Sequence, residues 1–402
     1  MPGSGRKSGW SSTRAGESRR LLSYAGFGKS LLPLPVLRWS KGQFVNQNLL
    51  DFQDEYCGRI LEQAPETSRV LVCSGDALFL SKDRFQSLPE ADVVVFGLWV
   101  EADVASRHGV FFSRRETPGD LAFVRQKPRV EELQHLSSDY LYLMDSGIVL
   151  LSERAVAVLM KRSGWDPASG DFGTGGPRFY DLYADMLAAF GSERSGMDKE
   201  MDDLSVRLHP LQDGEFYHFG SNPDLIGFTL KLQNRVIDQR LHLERSAPHH
   251  PSVFLQNSRV GVQFGSGQHH IWIENSVVPS TWTLRNRHIL TGIPENEWTV
   301  DLPEGVCVNV LPLKDGRFGL QLYGFDDSFK ETLGAGMRWM GQDLGAWMRR
   351  RGMDLSAFGL PPETDALDLP LFPAGRQRHC PVCCTVCSMS RCPQSPGGMP
   401  RV

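Results

Sequence analysis

The sequence has 402 residues, 41% hydrophobic and 22% charged, with a formal net charge of −4, as expected for a globular protein of two folded units with tails. Because it carries no general positive charge, nucleic acid and anionic membranes are not expected as its main partners. No apolar run reaches the roughly 20 residues that span a bilayer, and the polar start, MPGSGRKSGWSSTR, lacks an apolar signal core, so we expect a cytoplasmic protein.

A basic, glycine-containing stretch opens the ordered part of the sequence. Residues 15–39 read AGESRRLLSYAGFGKSLLPLPVLRW and combine Arg19, Arg20 and Lys29 with three glycines. Glycine lets backbone N–H groups approach phosphate oxygens, and arginine and lysine neutralise their charge. The pattern favours a polyphosphate-binding loop, and a plain basic surface turn is the alternative.

Residues up to about 235 alternate apolar runs with helical stretches. RVLVCSGD (69–76) and ADVVVFGLWV (91–100) are typical of strands buried on both faces, and HGVFF with LAFVRQKP predicts a hairpin. DYLYLMDSGIVLLS (139–152) predicts a strand, followed by a helix with Ser152 as its N-cap. FYDLYADMLAAFG predicts a helix that ends at Gly191. Together these elements predict an α/β fold with a mainly parallel sheet.

The pattern changes near residue 245, where short strand-like runs and turn residues replace helical periodicity. LQNSRV and IENSVV are near-copies 18 residues apart, which indicates successive coils of a β-helix-like stack, with a small β-sandwich as the alternative. A helical segment is predicted at about 333–352. We therefore expect an α/β domain at 15–240, a β-helix-like domain at 241–325, a helical segment at 326–372, and disordered or aberrant ends at 1–14 and 373–402.

The cysteines fall into two groups. Cys57, Cys73 and Cys307 are scattered, as expected of free thiols in a reducing compartment. The tail contains a cluster whose Cys-x-x-Cys spacing suits zinc, although no distant second pair exists: Cys380, Cys383, Cys387 and Cys392. A disordered tail is the favoured interpretation and a zinc site the alternative.

The spacing of the basic stretch resembles the signature loop of sugar-1-phosphate nucleotidyltransferases, G-G-x-G-x-R followed by K-P-x-x-P. Lys29 stands ten positions after Arg19, but Glu17 replaces a usual glycine and Ser30 replaces the proline after the lysine. Further segments resemble that family's motifs in the same order along the chain: SGD (74–76), VRQKP (124–128), DSGIVLLS (145–152) and FYHFGSNPDLI (216–226). Each segment alone is weak, and their order gives the resemblance its weight.

A closer resemblance extends over about residues 15–370. The segments GESRRL, PEADVVVFGLWV, GEFYHFG, VFLQNS, IWIENS and HILTGIPEN resemble the pyrophosphorylase half of bifunctional L-fucokinase/GDP-fucose pyrophosphorylase. The resemblance implies that GTP and L-fucose 1-phosphate are joined to give GDP-L-fucose and pyrophosphate. The family's kinase half, with its ATP-binding glycine-rich loop, has no counterpart in this sequence, so kinase activity is not expected.

The same resemblance implies the roles of particular residues. Arg19, Lys29, Asp76 and Lys127 are the implied catalytic groups, with Asp76 as the ligand of Mg²⁺, the implied cofactor. The implied nucleotide-binding residues are Gly16, Ser18, Arg19, Arg20, Lys29 and Gly75, and the implied sugar-binding residues are Lys127, Gly147 and His218. His218 stands where the family has a second metal carboxylate, so Asp181 or Glu215 could assist the metal instead. We expect Arg19 and Lys29 to face the same cleft as Asp76 and Lys127.

A loop of this type normally follows a buried first strand, and the residues before Arg19 show no strand pattern. We therefore expect the chain to lack that strand and to be poorly soluble or to bind GTP weakly, with little or no GDP-fucose synthesis. The alternatives to a GDP-fucose pyrophosphorylase are a nucleotidyltransferase for another sugar 1-phosphate and an inactive fragment.

Overall fold

The computed structural model describes residues 18–35, 47–86, 88–193, 199–236, 252–314, 316–352 and 354–375. They form two compact units. Leu50–Tyr217 is called the sheet unit below, and the described parts of Met1–Leu49 and His218–Val402 are called the β-helix unit. None of the helices in these ranges has the length and apolar character needed to cross a membrane.

The sheet unit is built around one long central strand. Its helices and strands, in chain order, are α1 Leu49–Gln63, β1 Ser68–Cys73, β2 Ala77–Leu80, β3 Val93–Leu98, α2 Ala102–Ala105, β4 Gly109–Arg114, β5 Phe123–Gln126, α3 Val130–Leu136, β6 Tyr140–Ser152, α4 Glu153–Arg162, α5 Lys199–Asp202, β7 Val206–Pro210 and β8 Glu215–His218. The main sheet has the order β5-β4-β6-β3-β7, and β1 also pairs with β6.

Helices and strands alternate as an α/β fold requires, but the prediction of a mainly parallel sheet was wrong for this unit. β6 pairs antiparallel with β1, β3 and β4, and β4 pairs antiparallel with β5. Among these described strands only β3 and β7 run parallel. The continuous apolar run of β3 reflects burial on both faces: Val93 and Val95 pack into one core cluster, and Val94 and Phe96 pack into another. Burial on two faces does not fix strand direction.

The local predictions for this unit were more accurate. The hairpin is confirmed as β4 and β5, with Gly109 opposite Gln126. The strand before α4 is confirmed as β6, and the N-cap is confirmed because Ser152 Oγ accepts a hydrogen bond from Ala155 N at 3.1 Å. The predicted helix before Gly191 is instead a π-helical turn, Leu182–Met186, followed by a 3₁₀ turn, Leu187–Ala189.

The β-helix unit begins with two 3₁₀ turns, Leu22–Tyr24 and Lys29–Leu31. Its further elements are α6 Asn222–Val236, β9 Val253–Gln256, β10 Arg259–Val260, β11 Ile271–Glu274, β12 Val277–Val278, β13 Trp282–Thr283, β14 His288–Thr291, β15 Val300–Asp301, β16 Val306–Pro312, β17 Phe318–Gly324, β18 Arg338–Trp339, β19 Gln342–Asp343, α7 Leu344–Arg349 and β20 Ala374–Gly375.

Parallel strands stack in this unit, as the 18-residue repeat predicted. β9, β11, β14 and β16 lie side by side with parallel pairing, and Ile271 stands opposite Val253. Two shorter parallel pairs, β10 with β12 and β13 with β15, form further faces of the coil. The β-helix is therefore confirmed over the β-sandwich alternative. Its interior contains the aliphatic side chains that alternate along the strands, including Ile271, Ile273 and Leu290.

The corners and the end of the coil have distinct causes. Asn257, Asn275 and Gly292 occupy equivalent corners with φ of 45°, 48° and 68°, a region that asparagine and glycine tolerate. After β16 the chain turns back, so β17 pairs antiparallel with β16, and β20 pairs antiparallel with β17. The helix predicted at 333–352 is present as a 3₁₀ turn, Leu333–Ala335, and as α7. The residues between them form the β18–β19 hairpin, whose turn includes Gly341 at φ 73°.

Candidate functional site

In the sheet unit, Asp76 lies in the turn that follows β1. Ser74 Oγ donates a hydrogen bond to Asp76 Oδ1 at 2.9 Å, and Ser74 N donates to the carbonyl of Gly147 at 2.9 Å. Gly147 has φ of 72°, and a Cβ added there would lie 2.9 Å from Ser74 Cβ. Only glycine permits this close approach. Two of the predicted site positions, Asp76 and Gly147, are therefore joined through Ser74.

Asp145 is a buried carboxylate at the same place, and the sequence analysis did not single it out. Its side chain is 6% exposed, and Oδ1 accepts a hydrogen bond from Gly147 N at 2.7 Å. Burial raises the pKa of Asp145 to about 6, and the bond from Gly147 lowers it in part. The signal was present, because Asp145 is an acidic residue in the middle of the apolar strand YLYLMDSGIVLLS.

The end of β5 lies close to Asp145. A Cβ added at Gly109 would lie 3.3 Å from Asp145 Oδ2 and 3.1 Å from Gln126 Nε2. The next residue, Lys127, has φ of 49° and donates its N–H to the carbonyl of His108 at 2.9 Å. The Lys127 side chain is exposed. This left-handed turn holds the predicted sugar-phosphate lysine one residue from Gln126.

Tyr183 is a second residue of this site that the sequence did not predict. It lies in the π-helical turn, and its pKa is raised to about 12 by partial burial and by the negative charges of Asp145 and Asp76. Tyr183 is nevertheless 46% exposed, and the two carboxylates act on its hydroxyl through their charge. Such a tyrosine stays protonated at neutral pH and can donate a hydrogen bond to an oxygen ligand.

The two acids considered as metal helpers have other contacts. Asp181 caps the π-helical turn by accepting hydrogen bonds from Tyr183 N and Ala184 N, both at 2.7 Å. Glu215 accepts a hydrogen bond from the hydroxyl of Tyr217.

The donor set in the sheet unit fits a hard cation. Asp76 and Asp145 are carboxylates, with Ser74 and Tyr183 hydroxyls beside them, and oxygen is the ligand atom that Mg²⁺ prefers. Within the described ranges no group of three or more histidine, cysteine or acidic side chains is arranged to hold a metal. Mg²⁺ commonly uses one or two carboxylates and completes its shell with substrate phosphate and water. The residues present suit that arrangement.

In the β-helix unit, residues 18–31 form the basic loop. Arg19 Nη1 forms an ion pair with Asp365 Oδ2 at 2.5 Å, and the Arg19 carbonyl accepts a hydrogen bond from Phe329 N at 2.9 Å. Ser18 is buried, and its hydroxyl donates to the carbonyl of Leu21. Lys29 is half-buried at the start of its 3₁₀ turn. Gly16, a predicted nucleotide-binding residue, lies outside the described residues.

Arg20 and His218 approach each other in this unit. A Cβ added at Gly220 would lie 3.0 Å from Arg20 Nη2, 3.0 Å from His218 Cε1 and 3.3 Å from Asp224 Oδ2. The carboxylate of Asp224 accepts a hydrogen bond from Ser221 Oγ at 2.6 Å. Of the two adjacent arginines, Arg20 is thus the one beside His218, whereas Arg19 pairs with Asp365.

The three scattered cysteines are free thiols, as predicted, with Cys57 and Cys307 buried and Cys73 half-buried. The cysteines considered for zinc, Cys380 to Cys392, lie outside the described residues.

Residues 14–374 match the family model of the fucose pyrophosphorylase domain. The chain belongs to the fucose pyrophosphorylase family. The curated relative named L-fucokinase/L-fucose-1-P guanylyltransferase, from Bacteroides fragilis, is 45% identical over 318 residues. The alignment covers 79% of this fucose pyrophosphorylase-family chain and 33% of the relative, so the chain spans about a third of that relative's length.

The solved structures that resemble this chain have low TM-scores. Mannose-1-phosphate geranyltransferase from Thermus thermophilus is 14% identical, with 64% of this chain and 65% of that chain covered and a TM-score of 0.32. The inositol-1-phosphate CTP transferase from T. maritima is 12% identical, with 47% and 64% covered and a TM-score of 0.25. These scores are too low to support an argument about function.

Proposed function

We propose that this chain is a guanylyltransferase that joins GTP and L-fucose 1-phosphate to give GDP-L-fucose and pyrophosphate. The observation that carries the proposal is the 45% identity to a relative named for L-fucose-1-P guanylyltransferase. The grouping of Asp76, Asp145 and Gly147 around Ser74 supports it, because it brings separate predicted motifs of the sheet unit to one place.

In the proposed reaction, an oxygen of fucose 1-phosphate attacks the α-phosphorus of GTP, and pyrophosphate leaves. This chemistry requires positioned groups and neutralised charge more than a protein nucleophile. Asp76, with Asp145 beside it, would hold Mg²⁺, which supplies charge neutralisation at the phosphates when bound. Basic side chains of the protein would neutralise the phosphate charge that remains.

The proposed phosphate-binding groups divide between the substrates. Arg20 and Lys29 would neutralise the triphosphate, and Arg19 would hold the loop through Asp365. Lys127 would bind the sugar phosphate with its exposed ammonium group. Backbone at Gly147 would pack against the sugar, and His218, next to Arg20, would donate to a phosphate or sugar oxygen.

The experiment is a pyrophosphate-release assay of the full chain with Mg²⁺ and defined substrates. We expect GTP with L-fucose 1-phosphate to be used faster than ATP, CTP or UTP, and faster than glucose or mannose 1-phosphate. Faster turnover with another pair would replace the proposal with a nucleotidyltransferase of that specificity. No turnover with any pair, in protein shown to be folded, would reject the activity.

Asp76→Asn is the decisive variant because it keeps the side-chain volume and removes the charge. Loss of a metal-holding carboxylate is expected to lower kcat by about 100-fold or more. The matched control is Asp213→Asn, which removes an exposed carboxylate of the same unit that pairs with Lys82 at 2.9 Å. We expect this control to keep wild-type turnover. Wild-type kcat in Asp76→Asn would show that Asp76 does not hold the metal.

A further inference from the structure

The basic loop is anchored on the β-helix. Leu21 and Leu22 within the loop and Leu32 directly after it are at most 2% exposed, so buried apolar side chains fix this part of the chain in its unit. Among the described residues 18–35, regular structure is limited to the two 3₁₀ turns and one isolated bridge from Pro33 to Asn48. Side-chain contacts with the β-helix hold this stretch in place.

One of these contacts is the half-buried carboxylate of Glu274 on β11. Ile271 and Ile273 point into the coil, and Trp272 and Glu274 point out of it. The outward face is nevertheless buried, since Trp272 is 0% and Tyr24 5% exposed. The hydroxyl of Tyr24 donates a hydrogen bond to Glu274 Oε2, and Trp272 Nε1 donates to the same oxygen at 3.1 Å.

A second set of hydrogen bonds holds Ser23, the loop residue before Tyr24. Ser23 Oγ lies 2.7 Å from the hydroxyl of Tyr323 and 3.2 Å from Thr291 Oγ1, which can accept the Ser23 proton. Thr291 also bonds Asn309 Oδ1 at 2.8 Å, on the next rung. Consecutive residues of the loop's first 3₁₀ turn are thus fixed by side chains from several rungs. Buried polar groups of this kind specify one arrangement, because each unmade bond leaves a desolvated group behind.

We infer that Glu274 is a positioning residue, which holds the basic loop in its nucleotide-binding arrangement by accepting the hydrogen bonds of Tyr24 and Trp272. This inference rests on the proposed function, in that the basic loop is taken to bind the nucleoside triphosphate. Glu274 touches neither the phosphates nor the sugar in this scheme. Its effect comes from the fraction of molecules whose loop is ready to bind, and apparent affinity falls in proportion to that fraction.

The test compares Glu274→Leu, Glu274→Gln and Tyr24→Phe in the full chain, by steady-state kinetics below the unfolding temperature of each variant. Glu274→Leu is expected to raise the KM for GTP by about 10-fold, with the KM for fucose 1-phosphate within about two-fold of wild type. Glu274→Gln keeps an oxygen that accepts both bonds and is expected to restore most of the GTP affinity. Tyr24→Phe removes only the hydroxyl and is expected to raise the KM for GTP in the same direction.

The matched control is Glu295→Leu on the same β-helix, where the carboxylate is 81% exposed and pairs with Arg259 at 2.6 Å. It is expected to leave both KM values unchanged. Unchanged KM for GTP in Glu274→Leu and Tyr24→Phe, or an equal rise for both substrates, would overturn the inference. If Glu274→Leu fails to fold, Tyr24→Phe decides alone. Absence of turnover in the wild-type chain would instead count against the proposed function, so the two failures are distinguishable.

Discussion

Protonation of His288 is predicted to weaken the β-helix at mildly acidic pH. His288 lies on β14 and is 0% exposed. Nδ1 donates to the carbonyl of Val306 at 2.8 Å, since a carbonyl can only accept, and Nε2 accepts from Arg285 N at 3.0 Å. The two bonds fix the neutral tautomer, and a proton on Nε2 would break the second one.

The size of the effect follows from the pKa. Burial lowers the pKa of His288 from 6.5 to about 4. Because the folded pKa is below the unfolded pKa, the unfolded chain binds more protons between these values. The contribution of His288 is therefore complete above pH 6.5 and is lost as the pH falls toward 4. The loss is about 2 kcal/mol at pH 5 and about 3 kcal/mol at pH 4.

Urea unfolding of wild type and His288→Asn between pH 4.5 and 8 measures this loss. Asn keeps a donor for Val306 but replaces the buried ring, so the variant is expected to be less stable than wild type at pH 8. Because Asn cannot titrate, the variant is expected to lose less stability on acidification. The control is His135→Asn, which replaces an exposed histidine of the sheet unit and is expected to follow the wild-type pH dependence. Identical pH dependence of the unfolding free energy in wild type and His288→Asn would refute the reasoning.

Two glycine substitutions test close backbone approaches. Gly147→Ala places a Cβ 2.9 Å from Ser74 Cβ at φ 72°, so we expect Asp76 to shift and kcat to fall by about 10-fold or more; Gly170→Ala, with φ 67° and nothing within 4 Å, is the control and should keep kcat. Gly292→Ala places a Cβ 2.3 Å from the carbonyl oxygen of Val310, and we expect a loss of about 3 kcal/mol or more in urea unfolding. Gly336→Ala, with φ 80° and nothing within 4 Å, should lose only about 1–2 kcal/mol, and equal losses in the two variants would contradict the contact argument.

Local features of the fold could be predicted from the sequence because their causes are local. The 18-residue spacing of LQNSRV and IENSVV is the rung length, so Val253 stands opposite Ile271. Ser152 followed by an amphipathic run identifies the N-cap directly. Strand direction is different, since it depends on the path between strands. β3 has one antiparallel and one parallel neighbour, and its own residues carry no record of either.

The candidate site was predictable only where a motif marks it. Asp76 follows the end of β1 and Gly147 lies within β6, each in a segment that resembles a family motif, and the structure joins them through Ser74. Tyr183 comes from a segment distant in sequence, and its proximity to both carboxylates arises from tertiary packing. The anchoring of the basic loop was also missed. The weak GTP binding expected of this chain assumed that only a preceding strand could hold the loop, and Tyr24 and Ser23 show that the β-helix holds it.

The in-phase stacking of rungs has a consequence for how such a chain can change length. One residue inserted within β11 would turn every later side chain of that strand to the opposite face, exchanging core and surface. A whole inserted rung would leave each strand opposite an equivalent neighbour. The antiparallel ribbon of β16 and β17 ends the stack on one side, because a reversed strand does not offer the edge that a further parallel rung requires. Gain or loss of complete coils on the β9 side of this ribbon is thus the change in length that the architecture accommodates best.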